Sequence, residues 1–120
     1  MSGYQFDLYS AHTGTGQLYE GQGRGIMVNQ GYIGQMFPGG LFIRIGSTGE
    51  NPSGTYGKVG DWNQMQIVAR GNTLIHLMNG HVLTVGIDDD PVRRAPQGMI
   101  SLQLESMGQI WYRNIWLKHL

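Results

Sequence analysis

Residues 3–9 alternate strictly, with Tyr4, Phe6 and Leu8 on one side and Gln5, Asp7 and Tyr9 on the other. Side chains of an extended chain point to opposite faces in turn, so this pattern predicts a half-buried strand with a polar second face. Residues 10–16 are a turn-rich break. Short strands are predicted at 17–20 and 26–30, separated by Gly21, Gly23 and Gly25, and another at 40–46. Residues 47–60, rich in glycine and carrying Pro52, read as a long loop. A loop of that length is either functional or mobile. The second half is clearer. Strands are predicted at 62–70, 73–78 and 81–87, joined by Gly71-Asn72 and Asn79-Gly80. Asn-Gly between alternating segments is the strongest short hairpin signal, because both residues tolerate positive φ. In that hairpin His76 is expected opposite Leu83, and His81 opposite Met78. A polar connection at 88–97 leads to a final strand pair at 98–105 and 109–117. Both faces of the last strand carry large side chains, so both are expected to be covered. No segment holds a helical period over three turns.

Composition narrows this picture. Glycine supplies 20 of 120 residues, about two and a half times the usual share of roughly 7%. Without a collagen repeat, so much glycine means many turns between short strands. The expected fold is therefore all-β: an antiparallel, jelly-roll-like sandwich in a single domain, 1–120. Eight Lys and Arg balance eight Asp and Glu. A neutral chain with scattered charge is a poor partner for a polyanion, which argues against nucleic acid. No apolar run approaches the roughly 18–20 residues that span a bilayer, which argues against a membrane span. The absence of cysteine excludes disulfides, thiolate nucleophiles and cysteine zinc sites. The GQGRG run at 21–25 superficially suggests a phosphate loop, but no Lys-Ser or Lys-Thr follows and no helix is predicted after it.

Several runs carry a family likeness. GDWNQMQIVARGNTLIHLMNGHVLTVGIDDD (60–90) and GMISLQLESMGQIWYRNIWLKHL (98–120) resemble the C-terminal half of the 3-keto-disaccharide hydrolase domain family. The matching features are Trp62-Asn63, Gly71-Asn72, Ile75-His76 with Asn79-Gly80, Leu102-Gln103, and Tyr112-Arg113-Asn114-Ile115. GYQFDLYS (3–10) and GQLYEGQGRGI (16–26) resemble strands from the middle of that domain. The resemblance implies a concanavalin A-like jelly roll. It also implies a carbohydrate ligand and, by family habit, a periplasmic or secreted location, although no signal-type leader is visible at 1–20. The family domain usually carries several strands before the equivalent of Gly3. A chain without them would leave sheet edges open, and a homo-oligomer is the expected remedy. Many members have a His-Gly pair after the Leu-Gln strand, where this chain has Glu105-Ser106.

The chemistry implied by the resemblance is cleavage of a glycoside oxidised at carbon 3. That ketone acidifies the neighbouring C–H bond, a base removes the proton, the glycosidic oxygen leaves, and water adds. Such a step needs a general base and a group to stabilise the enolate. The candidates for acid and base work are Asp7, His76 and Glu105. Asp7 shares its polar face with Gln5 and Tyr9; the alternative is a solvated outer face. Glu105 follows Gln103 on one side of its strand, and a pair of carboxylates about 5–9 Å apart would suit ordinary glycoside hydrolysis. His76 lies among apolar neighbours, so a hydrogen-bonded core role is the competing reading. Gln5, Tyr9, Tyr19, Arg24 and Gln103 are the expected sugar contacts. Tyr32 is a further cleft candidate, whereas Trp62 suits the core. Four His and eight carboxylates are too scattered to define a metal site by spacing; a metal brought together from distant residues stays open, and the cofactor is unknown. Asp88-Asp89-Asp90 could hold calcium, but a solvated, proline-terminated turn compensated by Arg93-Arg94 is the stronger expectation. The second functional reading is a non-catalytic sugar-binding or self-assembling module.

Overall fold

The computed structural model describes residues 2–104 and 107–120. Eight strands build two sheets: β1 (Gly3–Phe6), β2 (Leu18–Gly21), β3 (Gly25–Val28), β4 (Tyr32–Phe37), β5 (Leu41–Ser47), β6 (Met65–Arg70), β7 (Thr73–Met78) and β8 (His81–Asp88). The first three form an antiparallel sheet in chain order. The rest form a five-stranded sheet ordered β5-β4-β8-β7-β6. One short helix, α1 (Pro52–Tyr56), interrupts the predicted long loop. The expected all-β sandwich is thus present. Its one departure from antiparallel pairing is β4 beside β8, which run parallel.

The two sheets meet through a matched set of small and large residues. Leu18 and Val28 are cross-strand neighbours in the small sheet. Gly86 and Gly34 are cross-strand neighbours in the large one. Leu18 sits on Gly86 and Val28 on Gly34. A Cβ built on Gly86 would lie 2.3 Å from Leu18 Cδ2, and one on Gly34 would lie 2.6 Å from Val28 Cγ2. The glycine pair makes a flat spot that lets the second layer approach. Met27, Met36 and Leu74 complete the core, with Tyr4 and Tyr32 packed at its rim.

The hairpin turn forms as its sequence requires, with φ of 50° at Asn79 and 81° at Gly80. Met78 faces His81, as expected, but His76 faces Thr84 rather than Leu83. A register shift at His76/Leu77 causes this. The Leu83 carbonyl is drawn out of the ladder to accept from Gly31 N at 2.7 Å and Thr48 Oγ1 at 2.8 Å. The bulge leaves both Leu83 and Thr84 buried.

Three expectations need correction. The final pair at 98–105 and 109–117 does not form: the described residues of both runs lie outside any strand. Alternation supplies side chains for two faces, but a strand also needs a ladder of backbone hydrogen bonds with a neighbour, and the described residues of these runs join no ladder. Ile100, Trp111 and Trp116 are instead exposed, the last by 89%. Trp62 is also outside the core, 43% exposed with Arg113 lying 3.9 Å over its ring. The Asp88-Asp89-Asp90 run is not a solvated turn: Asp88 and Asp90 are buried, Asp88 bonds the distant Tyr4 and Arg24, Asp89 bonds Gln35 and Asn72, and Asp90 caps the nearby Val92 and Arg93 amides.

Candidate functional site

The alternation in β1 places side chains as read from the sequence. Tyr4 pairs across the ladder with Glu20 and Phe6 with Leu18, all facing the large sheet, while Gln5 pairs with Tyr19 on the opposite face. That outer face is the polar one. Asp7 Oδ2 accepts a hydrogen bond from Gln17 Nε2 at 2.7 Å, and the same amide donates to Tyr9 Oη at 3.1 Å. Gln17 is buried, so its amide is fixed between the carboxylate and the phenol. Gln103 Oε1 accepts from Gln5 Nε2 at 2.9 Å. Five of the expected residues (Gln5, Asp7, Tyr9, Tyr19 and Gln103) thus gather on one face. Gln17, which holds Asp7 and Tyr9 together, was not foreseen; its place two residues from Tyr19, on the same strand parity, was the available signal. Glu105 lies outside the described residues.

His76 sits beneath this face, between the sheets, and is 2% exposed. Its ring stacks on Phe6 with centroids 4.7 Å apart. Nδ1 lies 2.9 Å from the Gly16 carbonyl, which can only accept, so Nδ1 carries the proton. Gly16 N in turn donates to the Asp7 carbonyl at 2.8 Å. Burial lowers the His76 pKa to about 4, against the smaller opposing effect of the Gly16 bond. The imidazole is therefore neutral near pH 7. Gly16 has φ of 86°, and a Cβ there would strike Leu83 at 2.3 Å, so only glycine serves at this contact.

Arg24 lies at the far end of the inter-sheet space, with its side chain 2% exposed. It donates from Nε and Nη2 to the two Glu20 carboxylate oxygens, at 2.7 and 2.9 Å, and from Nη1 and Nη2 to those of Asp88, at 3.0 and 2.7 Å. Tyr4 Oη donates to Asp88 Oδ2 at 2.5 Å. Hydrogen bonds from Arg24 hold Glu20 below the usual carboxylate range. Burial works against ionisation of Asp88, but the bonds from Arg24 and Tyr4 outweigh it and its pKa is lowered. Burial and the Asp88 bond push Tyr4 up to about 12. The guanidinium is spent on tying the β2–β3 turn to the end of β8, away from the Asp7 face. Among the described residues no three His, Asp or Glu side chains gather as a metal-binding group.

His12 is a second buried histidine that the sequence did not single out. Its Nε2 donates to the Lys58 carbonyl at 2.9 Å, and its own carbonyl accepts from Ser53 Oγ. It fastens the 10–16 turn, and with it Tyr9, to the loop around α1.

Fold and site together define a two-layer β-sandwich carrying an amide, carboxylate and tyrosine face on its smaller sheet. The family model described as a 3-keto-alpha-glucoside-1,2-lyase-like domain matches residues 1–118, and the chain belongs to that family. Comparisons with curated proteins and with solved structures each gave no match. Among the described residues no helix is long and apolar enough to cross a membrane.

Proposed function

We propose that the Gln5–Asp7–Tyr9–Tyr19–Gln103 face binds a 3-keto-glycoside and that Asp7 is the base that opens it. The observation carrying this reading is the Asp7 carboxylate held by the buried Gln17 amide within a row of amides and phenols, in a chain whose family is described by a 1,2-lyase. A ketone at C3 acidifies the proton on C2. Asp7 takes that proton, and the C–H electron pair forms the enolate. The enolate then expels the C1 substituent, leaving a C1=C2 double bond, and the departing oxygen gains a proton. Water added across C1=C2 completes hydrolysis. The Gln5 amide and the Tyr9 and Tyr19 hydroxyls supply donors for the enolate oxygen. His76 is a positioning residue: it holds Gly16, and Gly16 N holds the Asp7 backbone.

The test is incubation with a 3-keto-disaccharide while released 3-ketoglucose is followed. Turnover is expected, with Asp7→Asn lowering kcat by about a hundredfold or more at unchanged melting temperature, the usual scale for a general base. No turnover, or an undiminished Asp7→Asn variant, defeats the reading. Sugar binding without turnover selects a second reading, a non-catalytic binding or self-assembling module. One observation favours that alternative: the large apolar surface of residues 98–104 and 107–120.

A further inference from the structure

A cleft of about 610 Å³ opens beside the edge of the large sheet, walled by Thr13, Gln30, Tyr32, Arg44, Glu50 and Asn51, among others. It is distinct from the Asp7 face but adjoins the same turn, since Thr13 follows Tyr9 by four residues. Its recognition groups are held in place. Arg44 pairs with Gly34 across β4 and β5. The guanidinium carbon lies over Tyr32, 3.7 Å from the ring centroid. Tyr32 is itself packed against the core. The Gln30 side chain is fixed at both ends: Oε1 accepts from Ser53 N at 3.2 Å, and Nε2 donates to Asn51 Oδ1 at 3.1 Å.

The groups left over define the ligand. The contact with the Tyr32 ring uses none of the N–H donors of Arg44 in a hydrogen bond, and Arg44 makes no hydrogen bond or ion pair with a described residue. Glu50 is equally unpaired among the described residues, although it lines the same cleft. Asn51 uses only its Oδ1, which leaves its amide donors. The cleft thus offers one cation, one anion and an amide with donors to spare. An anionic ligand would meet Glu50 and a cationic one would meet Arg44. A neutral polyol satisfies both, because neighbouring hydroxyls accept from a guanidinium edge and donate to a carboxylate.

We infer that this cleft is a second sugar subsite, taking the ring that is not oxidised, with Arg44 and Glu50 as its paired contacts. The inference rests on the carbohydrate reading above and adds where the remainder of a disaccharide lies. Isotope-labelled protein titrated with maltose provides the test. Saturable amide shifts are expected at Gln30, Tyr32, Arg44 and Asn51. Arg44→Met and Glu50→Gln should each weaken binding by about tenfold or more, the scale for a hydrogen bond to a charged group. Both positions are exposed, so melting temperature should hold. No saturable shift in the cleft, shifts confined to Gln5, Asp7 and Tyr19, or full affinity in both folded variants overturns the inference. The 3-keto-disaccharide assay separates the two claims. Cleft binding without turnover leaves the subsite standing and removes the lyase chemistry. Asp7-dependent turnover with a silent cleft does the reverse.

Discussion

His76 shows how one side chain's surroundings set its chemistry. An imidazole in water titrates near pH 6.5, but burial against Phe6 lowers this one to about 4. Between those values the unfolded chain binds the proton and the folded chain does not. Stability from this group is therefore fully present above pH 6.5 and is lost as pH falls toward 4. At about 1.4 kcal/mol per pKa unit the loss is roughly 3 kcal/mol. Denaturant melts across pH 7 to 4 should show that decline, and His76→Asn, which keeps an N–H for Gly16 but cannot titrate, should flatten it. A decline of the same size in His76→Asn would show that other groups cause it. Glu20 and Asp88 are lowered below the ordinary carboxylate range, so their loss belongs to more acid pH. The sequence could show that His76 had apolar neighbours. It could not show that Phe6, seventy residues away, would close over the ring.

At the level of strands, the pairing of two glycines with two branched side chains sets the distance between layers. Gly86→Ala adds a Cβ where Leu18 already sits, and Leu18 is wholly buried with nowhere to move. A destabilisation of about 1–3 kcal/mol is expected from overpacking, measurable by denaturant unfolding. Gly86→Ala combined with Leu18→Ala should lose less than the sum of the two changes, because each relieves the other. An additive double variant would disprove the contact. The alternation at 3–9 and the Asn79-Gly80 turn were legible because strand parity and positive φ are local properties. β4 was not legible as a strand. Its Gly34 looks like a turn residue until Val28 is seen lying on it. The slip that puts Thr84 opposite His76 was hidden for a similar reason, since Gly31 and Thr48 impose it from elsewhere in the chain.

Across the whole molecule, five strands are covered by three. Ile67 and Phe42 face the inter-sheet side near the two edges of the large sheet and remain 54% and 38% exposed. On the far face Val68, Ile75, Val85 and Ile33 lie in register across four strands, and neither sheet in the described residues covers them. Residues 98–104 and 107–120 add exposed leucines, isoleucines and tryptophans. Apolar surface this extensive drives association. We propose that copies of the chain pair, using these segments to complete each other's sheets. Light scattering on a sizing column should give at least a dimer, and Trp116→Lys with Ile100→Lys should shift it toward monomer. A monodisperse monomer at high micromolar concentration would contradict the proposal.

Strand parity, turn chemistry and composition are properties of neighbouring residues. For that reason the sequence by itself determined the class of fold, the tight hairpin, and which side of the first strand would be polar. It also carried the family likeness, in short runs of adjacent letters. Partnership between distant residues depends on which strands become neighbours, and only the tertiary structure decided it. That is why Asp88 emerged as a buried partner of Arg24 rather than part of a solvated acidic turn, and why Arg24 was drawn away from the Asp7 face. It is also why Gln17, a single polar letter in a strand, proved to be the group that holds Asp7 in place.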